Sequence, residues 1–237
     1  MYARDFPDQP DPLTFGVSGK LIRNALVMYD RQTDTLWSQF LGVAVQGELQ
    51  GTPLEPLPST LTDWATWRRL HPDTTVLDQG GERSDPYSRY YVDGSAGVLG
   101  ERNADDRLDR KDFVLGIQLP GFQKAYSFRD LSSNPVVNDQ VGDQQLVVVF
   151  DANAATGVAF DRTVDGRALT FDLVTDVPGD LLGLRDRETG TLWAGLSGEA
   201  IEGELAGAQL EQITVTQVFW FAWTDFFPEA PLWESPT

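Results

Sequence analysis

The sequence predicts a mainly β protein with a few short helices, formed by two related β modules that arose by internal duplication. Two observations carry this prediction. Short apolar runs with the length of strands alternate with turn residues over most of the chain. A block of 60 residues also recurs further along the chain at a fixed offset. With 237 residues and a hydrophobic fraction of 41%, the chain is long and apolar enough to bury a core without disulfides.

The repeat has an offset of 156 residues and needs no gap from 13 to 72. Its clearest pairs are DRQTDTLW at 30–37 with DRETGTLW at 186–193, and GVAVQGELQGTPLE at 42–55 with GEAIEGELAGAQLE at 198–211. Over the whole block 22 of 60 positions are identical, far more than chance produces. The sequence therefore predicts two copies of one structural unit.

The two copies differ in what precedes them, and this difference sets the domain organisation. Apolar, strand-like segments come before the second copy, whereas a tail rich in proline and aspartate precedes the first. We therefore expect the first unit to lack its leading strands. The predicted divisions are a tail at 1–12, a partial first unit at 13–77, a polar connector at 78–112 and a complete second unit at 113–237.

Several hairpins are predicted within the two units. Equivalent pairs of apolar runs flank a polar turn in each copy: 26–29 with 36–40, and 183–185 with 192–196. Within these turns, Asp34 and Gly190 should take the left-handed conformation. In the second unit, a strand is predicted at 145–150. An Asp-Gly pair at 165–166, between strand-like runs at 157–164 and 167–174, predicts a further hairpin.

Each unit is predicted to end in a helix that carries tryptophans. In the first unit the helix spans 59–70, begins with a capping box of Thr60 and Asp63, and ends before Pro72. In the second unit the helix spans 218–227 and contains six aromatic residues. Because a helix that is apolar on all sides is buried or covered by a partner, this segment is also a candidate binding surface.

The charge and the residue types exclude several classes of function. The net charge is −18, which opposes binding to the phosphates of nucleic acids and to anionic lipids. No apolar stretch reaches the roughly 18 residues that a membrane-spanning helix needs, so no membrane insertion is expected. The first twelve residues contain no apolar run typical of a signal peptide. With no cysteine and one histidine, His71, zinc fingers, Cys–His catalysis and multi-histidine metal sites are excluded.

The order of the motifs along the chain resembles that of a known family. The motifs are TFGVSGKL at 14–21, MYDRQTDTLWSQ at 28–39, GVAVQGELQGTPLE at 42–55, WATWRRLHPDTTVL at 64–77, DDRLDRKDFVLG at 105–116, KAYSF at 124–128 and VVND at 136–139. They span most of the chain, which is identified by them as a member of the bacterial and archaeal family called domain of unknown function 3179. The resemblance implies a β-rich, duplicated fold and an extracytoplasmic location, and it implies no activity, cofactor or ligand. Typical members carry a pair of cysteines before the first LTF. This chain has no cysteine, so no metal or redox role follows from that segment.

The repeated Asp-Arg, Thr and Trp set is the sharpest candidate for a ligand site. It comprises Asp30, Arg31 and Trp37 in the first copy, and Asp186, Arg187 and Trp193 in the second. As a ligand site, each arginine would bind an anion and each tryptophan would stack on the ligand. As structure, each aspartate would cap a hairpin turn and each tryptophan would fill the core. The residue types favour the structural interpretation, because such turns need them.

The remaining candidate residues are aromatic or acidic. Trp220 and Trp223, on the aromatic helix, are candidates for contact with a ligand or partner, with packing in the core as the alternative. Asp105, Asp106 and Asp109 form an acidic run and are weak candidates for a calcium site. Because basic residues are interleaved with them, local salt bridges are the favoured interpretation. The sequence assigns no catalytic residue and no cofactor.

Two hypotheses for the function follow. The first is a non-enzymatic binding or assembly module that self-associates, since a sheet without its leading strands has an unpaired edge that another chain can cover. The alternative is an extracytoplasmic enzyme or metal-dependent module with its site between the two repeat copies. A homo-oligomer is an expectation of the first hypothesis, and the sequence specifies neither a ligand nor a reaction.

Overall fold

The structure, a computed structural model, describes residues 1–6, 11–78, 80, 87–175, 177 and 182–235. Strands and isolated bridges account for 39% of the described residues and helices for 11%, which confirms the predicted mainly β class. Within the described residues the strands form four four-stranded sheets and one two-stranded ribbon. No helix in this part of the chain is long and apolar enough to span a bilayer.

The strands and helices are short and are numbered in chain order. The strands are β1 (Phe15–Ile22), β2 (Ala25–Asp30), β3 (Leu36–Ser38), β4 (Val43–Gln46), β5 (Phe113–Leu119), β6 (Phe122–Ser127), β7 (Val136–Val141), β8 (Gln144–Asp151), β9 (Thr156–Asp161), β10 (Thr163–Val164), β11 (Arg167–Ala168), β12 (Phe171–Val174), β13 (Gly183–Asp186), β14 (Leu192–Ala194), β15 (Ala200–Glu202), β16 (Gln212–Ile213), β17 (Val215–Phe219) and β18 (Leu232–Trp233). The helices are α1 (Trp64–Leu70), α2 (Ser88–Val92), α3 (Phe128–Ser133) and α4 (Trp220–Phe226).

Each unit contains one antiparallel meander in which the strands pair in chain order. The first meander is β1-β2-β3-β4 and the second is β12-β13-β14-β15. The predicted hairpins are present as β2–β3 and β13–β14, and Asp34 and Gly190 have the predicted positive φ, 56° and 73°. The hairpin at Asp165 and Gly166 is also present, but only as the two-residue strands β10 and β11.

The two meanders match each other at the offset of 156 residues. The rings of Phe15 and Trp37 meet edge to face at 5.8 Å between centroids, as do those of Phe171 and Trp193. The φ angles of equivalent glycines also agree, for example 120° at Gly47 and 119° at Gly203. A duplication would produce this likeness, and the duplication itself stays a prediction. In this chain β5 to β9 precede the second meander, and no described strand precedes β1.

The other two sheets lie at the centre and pack face to face. They have the strand orders β17-β5-β6-β18 and β16-β9-β8-β7. Alternate residues of β8 explain the layering: Leu146 and Val148 pack toward the first of these sheets, whereas Val147 and Val149 pack toward the second meander. Both faces of β8 are therefore buried, which explains the short apolar run in the sequence at 145–150.

The helix α4 joins the first meander to the central sheets. Trp220 and Trp223 pack on Val114 of β5 and on Phe40, which follows β3. Residue 116 must be glycine here, because a Cβ at Gly116 would lie 2.0 Å from the ring of Trp223. The close approach of helix and strand therefore follows from a small residue opposite a large one.

The helix α1 starts later than the sequence predicts. The N-cap is Asp63, whose carboxylate accepts from the Thr66 N–H at 2.7 Å, so the capping box of Thr60 and Asp63 is wrong. The preceding residues are not helical, and they form hydrogen bonds with the second unit: Gln212 Nε2 donates to Thr60 Oγ1 at 3.2 Å. The end of the helix before Pro72 is as predicted, with His71 as the C-cap.

Candidate functional site

A cleft of about 670 Å³ lies where the first meander, the connector and α4 meet. Twenty of the described residues line it, and eight of these are aromatic. We call it the aromatic cleft and define it by these eight: Phe40, Tyr87, Tyr90, Tyr91, Phe113, Phe219, Phe221 and Phe226. Large apolar clefts with a few polar groups are the usual form of a site for a small molecule.

The aromatic side chains of the cleft hold one another in place. The ring of Phe219, at the end of β17, lies 4.5 Å from that of Phe113 and about 6 Å from those of Tyr90 and Tyr91. On the other side, Phe40 stacks on Phe226 with a centroid distance of 4.2 Å. Rings packed at such distances are pre-formed walls, because each restricts the rotamers of the next.

Two residues of the β1–β2 turn close one end of the cleft. Arg23 and Asn24 have φ values of 48° and 64°, which is the conformation of a two-residue type I′ turn. Asn24 fixes the turn to the connector, since its Nδ2 donates to the Gly100 carbonyl at 2.8 Å and its Oδ1 accepts from the Leu99 N–H at 2.7 Å. Positive φ is uncommon for arginine, so the conformation depends on these tertiary contacts.

Among the described lining residues, Arg23 is the one with a formal charge. Its Nη1 donates to the backbone carbonyl of Asp225, and its guanidinium lies 5.4 Å from the centroid of the Phe226 ring. None of the twenty lining residues is acidic. Since 36 of the 237 residues are acidic, an average set of twenty would contain about three. The lining is thus depleted of the charge that dominates the rest of the chain.

The carboxylates near Arg23 form no ion pair with it, although the Oδ2 of Asp225 is buried without a hydrogen-bond partner in the part of the chain that the structure describes. Asp225 is buried, and its Oδ1 accepts from the N–H groups of Arg102 and Asn103 at 2.6 and 2.9 Å. Asp93 forms an ion pair with Lys111 at 2.8 Å. The hydrogen bonds from Lys111 and from Ser95 hold the pKa of Asp93 well below its ordinary value. Among the described residues Arg23 itself has no carboxylate within ion-pair distance.

A glutamine stands in the wall between the aromatic cleft and a smaller cavity of about 370 Å³. Gln217, on β17, lines both, together with Gln39, Phe40 and Val218. The amide nitrogen Nε2 of Gln217 is buried and has no hydrogen-bond partner. A buried donor without an acceptor is unfavourable by about 1–3 kcal/mol, so such a group is rare unless something else supplies the acceptor.

The repeated aspartates and tryptophans lie in two separate cores, outside the aromatic cleft. Asp30 is fully buried and accepts from the Thr33 N–H at 2.6 Å and from Trp37 Nε1 at 2.8 Å. Asp186 makes the same contacts, from Thr189 at 2.6 Å and from Trp193 at 2.9 Å. Burial alone would raise the pKa of Asp186, but these donors outweigh it and the pKa is lowered. The structure therefore gives both sets the geometry of capped turns.

The two arginines of these sets point away from the cores and are exposed. Arg187 forms an ion pair with Asp172 at 2.7 Å. Arg31 donates to the Phe15 carbonyl and lies over the ring of Tyr29. Neither arginine lines the aromatic cleft. The two repeated sets are thus not brought together.

The tryptophans of the aromatic helix and the acidic run also lie outside the cleft. Trp220 and Trp223 are buried in the core, whereas Phe221, Ala222 and Phe226 of the same helix line the cleft. In the acidic run, Asp105 pairs with Arg107 at 2.6 Å, which lowers the pKa of that carboxyl, while Asp106 and Asp109 are exposed. In the part of the chain that the structure describes, no three His, Cys, Asp or Glu side chains are grouped to hold a metal ion.

A further cavity, of about 710 Å³, lies between α1 and the second meander. Its lining includes His71 and Arg69 from the first unit and Ser197 and Glu199 from the second. The ring of His71 packs on that of Trp67 at 4.1 Å between centroids. This cavity is where a site between the two repeat copies would lie.

A family model described as "Protein of unknown function (DUF3179)" matches residues 2–230, nearly the whole chain. The chain belongs to the DUF3179 family. The region matched by the DUF3179 model contains every residue of the aromatic cleft. A search of curated proteins finds no match, and neither does a search of solved structures.

The sequence of this DUF3179 member predicts one part of the aromatic cleft, the aromatic helix. The aromatic helix was a candidate surface, but the tryptophans are on its buried side and the phenylalanines line the cleft. The tyrosines of PYSRYY lie in a stretch that reads as a polar connector. Only the fold shows that three segments far apart in sequence meet at one place.

Proposed function

We propose that this chain is a non-enzymatic binding module whose aromatic cleft holds a small, largely apolar molecule. The observation that carries the proposal is the cleft itself, about 670 Å³ in volume, with eight aromatic side chains among its described lining residues. Stacking and burial of apolar area supply the affinity in sites of this kind. The depletion of acidic residues from the lining supports the same conclusion.

Exposure at the rim of the cleft also favours a ligand. Leu21, Tyr87, Tyr91, Val98 and Phe113 all line the cleft and are all exposed. Apolar side chains exposed together are unfavourable in water and are typical of binding sites. A ligand that covers them would recover about 25 cal/mol for each Å² of apolar surface that it buries.

The exposed edge strand of the first meander favours ligand binding over assembly through strand pairing. The pairing of β1 with β2 is irregular between Val17 and Leu21. Within this bulge Gly19 has a φ of 75° and Lys20 is exposed. Bulges and lysines on an edge strand oppose pairing with another chain, so β1 is poorly suited to self-association.

An enzyme or a metal-dependent module remains the second candidate, on one observation. The chain's single histidine shares the cavity between α1 and the second meander with Ser197 and Glu199. A histidine beside a hydroxyl and a carboxylate is the composition of a general-base site. The repeated Asp, Arg and Trp sets lie outside this cavity, so His71 is the residue that this candidate depends on.

A fluorescent apolar probe tests the binding function directly. N-phenyl-1-naphthylamine is neutral, and its emission rises when it leaves water. We expect the folded protein to bind it saturably, with about one probe per chain. Replacing Ala222, which lines the cleft on α4, by tryptophan should fill the space and weaken binding. Ala206→Trp, at an exposed position outside the cleft, is the control.

Two neighbouring residues on α2 give a second comparison that leaves the core untouched. Tyr91 lines the cleft and Val92 does not, although both are exposed. We expect Tyr91→Ala to weaken binding about fivefold, the value of one aromatic contact, and Val92→Ala to leave it unchanged. Absence of saturable binding, or equal affinities in Tyr91→Ala and Val92→Ala, would overturn the proposal.

A further inference from the structure

We propose that the ligand of the aromatic cleft is an amphipathic organic anion, whose apolar body lies among the rings and whose charged end binds Arg23. The inference rests on the proposed function, because it names the ligand class for the same site. The class comprises molecules with one carboxylate or sulfonate on an aromatic or branched hydrocarbon body.

The charge distribution is the first observation behind this inference. The twenty described residues of the lining include one basic residue and no acidic one, within a chain whose net charge is −18. An anion that approaches most of the surface is repelled, whereas the charged side chain that it meets among the described lining residues of the cleft is a guanidinium. A site with this arrangement selects anions in spite of the overall charge of the protein.

The unused hydrogen-bonding capacity of Arg23 is the second observation. A guanidinium has five N–H donors, and Arg23 uses Nη1 toward the carbonyl of Asp225. Among the described residues it forms no ion pair, and the Oδ1 of the nearby Asp225 accepts from two backbone N–H groups. A partly buried guanidinium flanked by aromatic rings forms its strongest contacts with an oxyanion, through charge-assisted hydrogen bonds.

The unpaired amide of Gln217 is an independent sign of an acceptor on the ligand. Gln217 lines the same cleft as Arg23, and its Nε2 is buried without a partner. An oxygen atom of a ligand that reaches the wall between the two cavities would satisfy this donor. Arg23 therefore supplies the charge, and Gln217 supplies a neutral hydrogen bond to the same class of molecule.

A matched pair of probes separates charge from apolar contact. 1-Anilinonaphthalene-8-sulfonate has the same ring system as N-phenyl-1-naphthylamine and carries one additional sulfonate. The quantity measured is the dissociation constant of N-phenyl-1-naphthylamine divided by that of 1-anilinonaphthalene-8-sulfonate. For the native protein at about 20 mM salt, where charges are weakly screened, we expect the anion to bind about tenfold more tightly. The ratio should fall toward one at about 1 M salt.

Variants of Arg23 test whether that residue is the source of the preference. Arg23→Gln should bring the ratio close to one, and Arg23→Lys, which keeps the charge, should retain more of the preference. Arg185→Gln is the control, because it makes the same change of net charge at an exposed arginine that also donates to a backbone carbonyl. Circular dichroism reports whether each variant is folded.

The outcomes distinguish failure of the inference from failure of the proposed function. If neither probe binds saturably, the proposed function is overturned and the inference falls with it. If both bind and the native ratio is one or lower, or if Arg23→Gln changes the ratio no more than Arg185→Gln, only the inference is overturned. If Arg23→Gln does not fold, the ratio for the native protein tests the inference by itself: a ratio of about ten supports it, and a ratio of one or lower overturns it.

Discussion

At the scale of single residues, the repeated aspartate explains why the two turns have the same structure. One side chain satisfies a turn N–H, a threonine hydroxyl and the indole N–H of the core tryptophan, at 2.6, 3.0 and 2.8 Å for Asp30. The carboxylate is buried, and it is stable there because every contact is a donor. An acceptor with two equivalent oxygens is therefore required at this position.

The same substitution at two positions of one turn tests this requirement. Asp30→Asn replaces one acceptor oxygen with an NH₂ group, which leaves a buried donor unpaired, so we expect a loss of about 1–3 kcal/mol in the free energy of unfolding. Asp34→Asn is the control: Asp34 is exposed and has a φ of 56°, which asparagine adopts readily. We expect it to change stability by less than about 0.5 kcal/mol.

Urea unfolding measures both variants. Equal losses for Asp30→Asn and Asp34→Asn would mean that the carboxylate of Asp30 does not hold the turn. A ligand role for the repeated set would then gain weight, because the contacts in the structure would not explain why the set recurs.

Residue identity predicts the turns but not the cleft. The glycine and aspartate at the left-handed positions, and the Asp-Gly pair, specify local backbone conformations, so the hairpins follow from the sequence. Arg23 gives no such signal. It has a positive φ because Asn24, next to it, is held by the connector at Leu99 and Gly100. Contacts over that distance in sequence are not encoded in any local pattern.

At the scale of elements, the two tryptophan helices occupy equivalent positions in the repeat and have different surroundings. Trp220 of α4 is 1% exposed, and its counterpart Trp64 of α1 is 48% exposed. The difference arises because α4 packs on β5, a strand for which the first unit has no described equivalent. Trp64 instead lies under the guanidinium of Arg68, at 6.0 Å.

Truncation of equivalent tryptophans should therefore have unequal effects. We expect Trp220→Ala to reduce the free energy of unfolding by about 3–5 kcal/mol, because it leaves a cavity in the core. Trp64→Ala should reduce it by less than about 1 kcal/mol, because the side chain is half exposed. Urea unfolding of the two variants side by side provides the measurement, and similar losses would show that α1 is covered in solution.

Helix boundaries show how tertiary contacts override local signals. The pattern at 59–70 satisfies the rules for a capping box, yet the helix begins at Trp64. Thr60 and Thr62 hydrogen-bond to Gln212 and Thr156 of the second unit, and these contacts oppose a helical conformation before Asp63. The end of the helix is predictable because Pro72 acts locally.

At the scale of the whole molecule, three cores of the described residues are shared by neighbouring layers, and a fourth, around Leu13 and Trp37, belongs to the first meander alone. One core lies between the central sheets, one between them and the second meander, and one around α4. The aromatic cleft lies where the first meander meets α4. Its position depends on the order of the layers, which composition and periodicity do not specify.

The acidity of the chain gives stability two opposing dependences on pH. Among the described residues six carboxyl groups have a lowered pKa: Asp63, Asp93, Asp105, Asp172, Asp186 and Glu188. Each stabilises the folded state fully above its ordinary pKa, 3.8 for aspartate and 4.5 for glutamate, and the contribution is lost as the pH falls through the lowered value. Repulsion among the excess negative charges acts in the other direction, since protonation relieves it.

The two effects act in different ranges of pH, and this separation makes them testable. Relief of repulsion begins as ordinary carboxyls titrate near pH 5, so we expect the free energy of unfolding to stay level or rise slightly from about pH 7 to 5. Below about pH 4 it should fall, because the six carboxyls with a lowered pKa then bind protons in the unfolded chain while they stay ionised in the folded one, until the pH passes the lowered pKa values. Urea unfolding across this range measures the profile, with Asp186→Asn as the reference. The difference between the native chain and Asp186→Asn should be constant above about pH 5 and shrink below about pH 4. A stability that rises continuously down to about pH 3 would mean that repulsion, rather than the hydrogen bonds of these carboxylates, governs the response of the fold to acid.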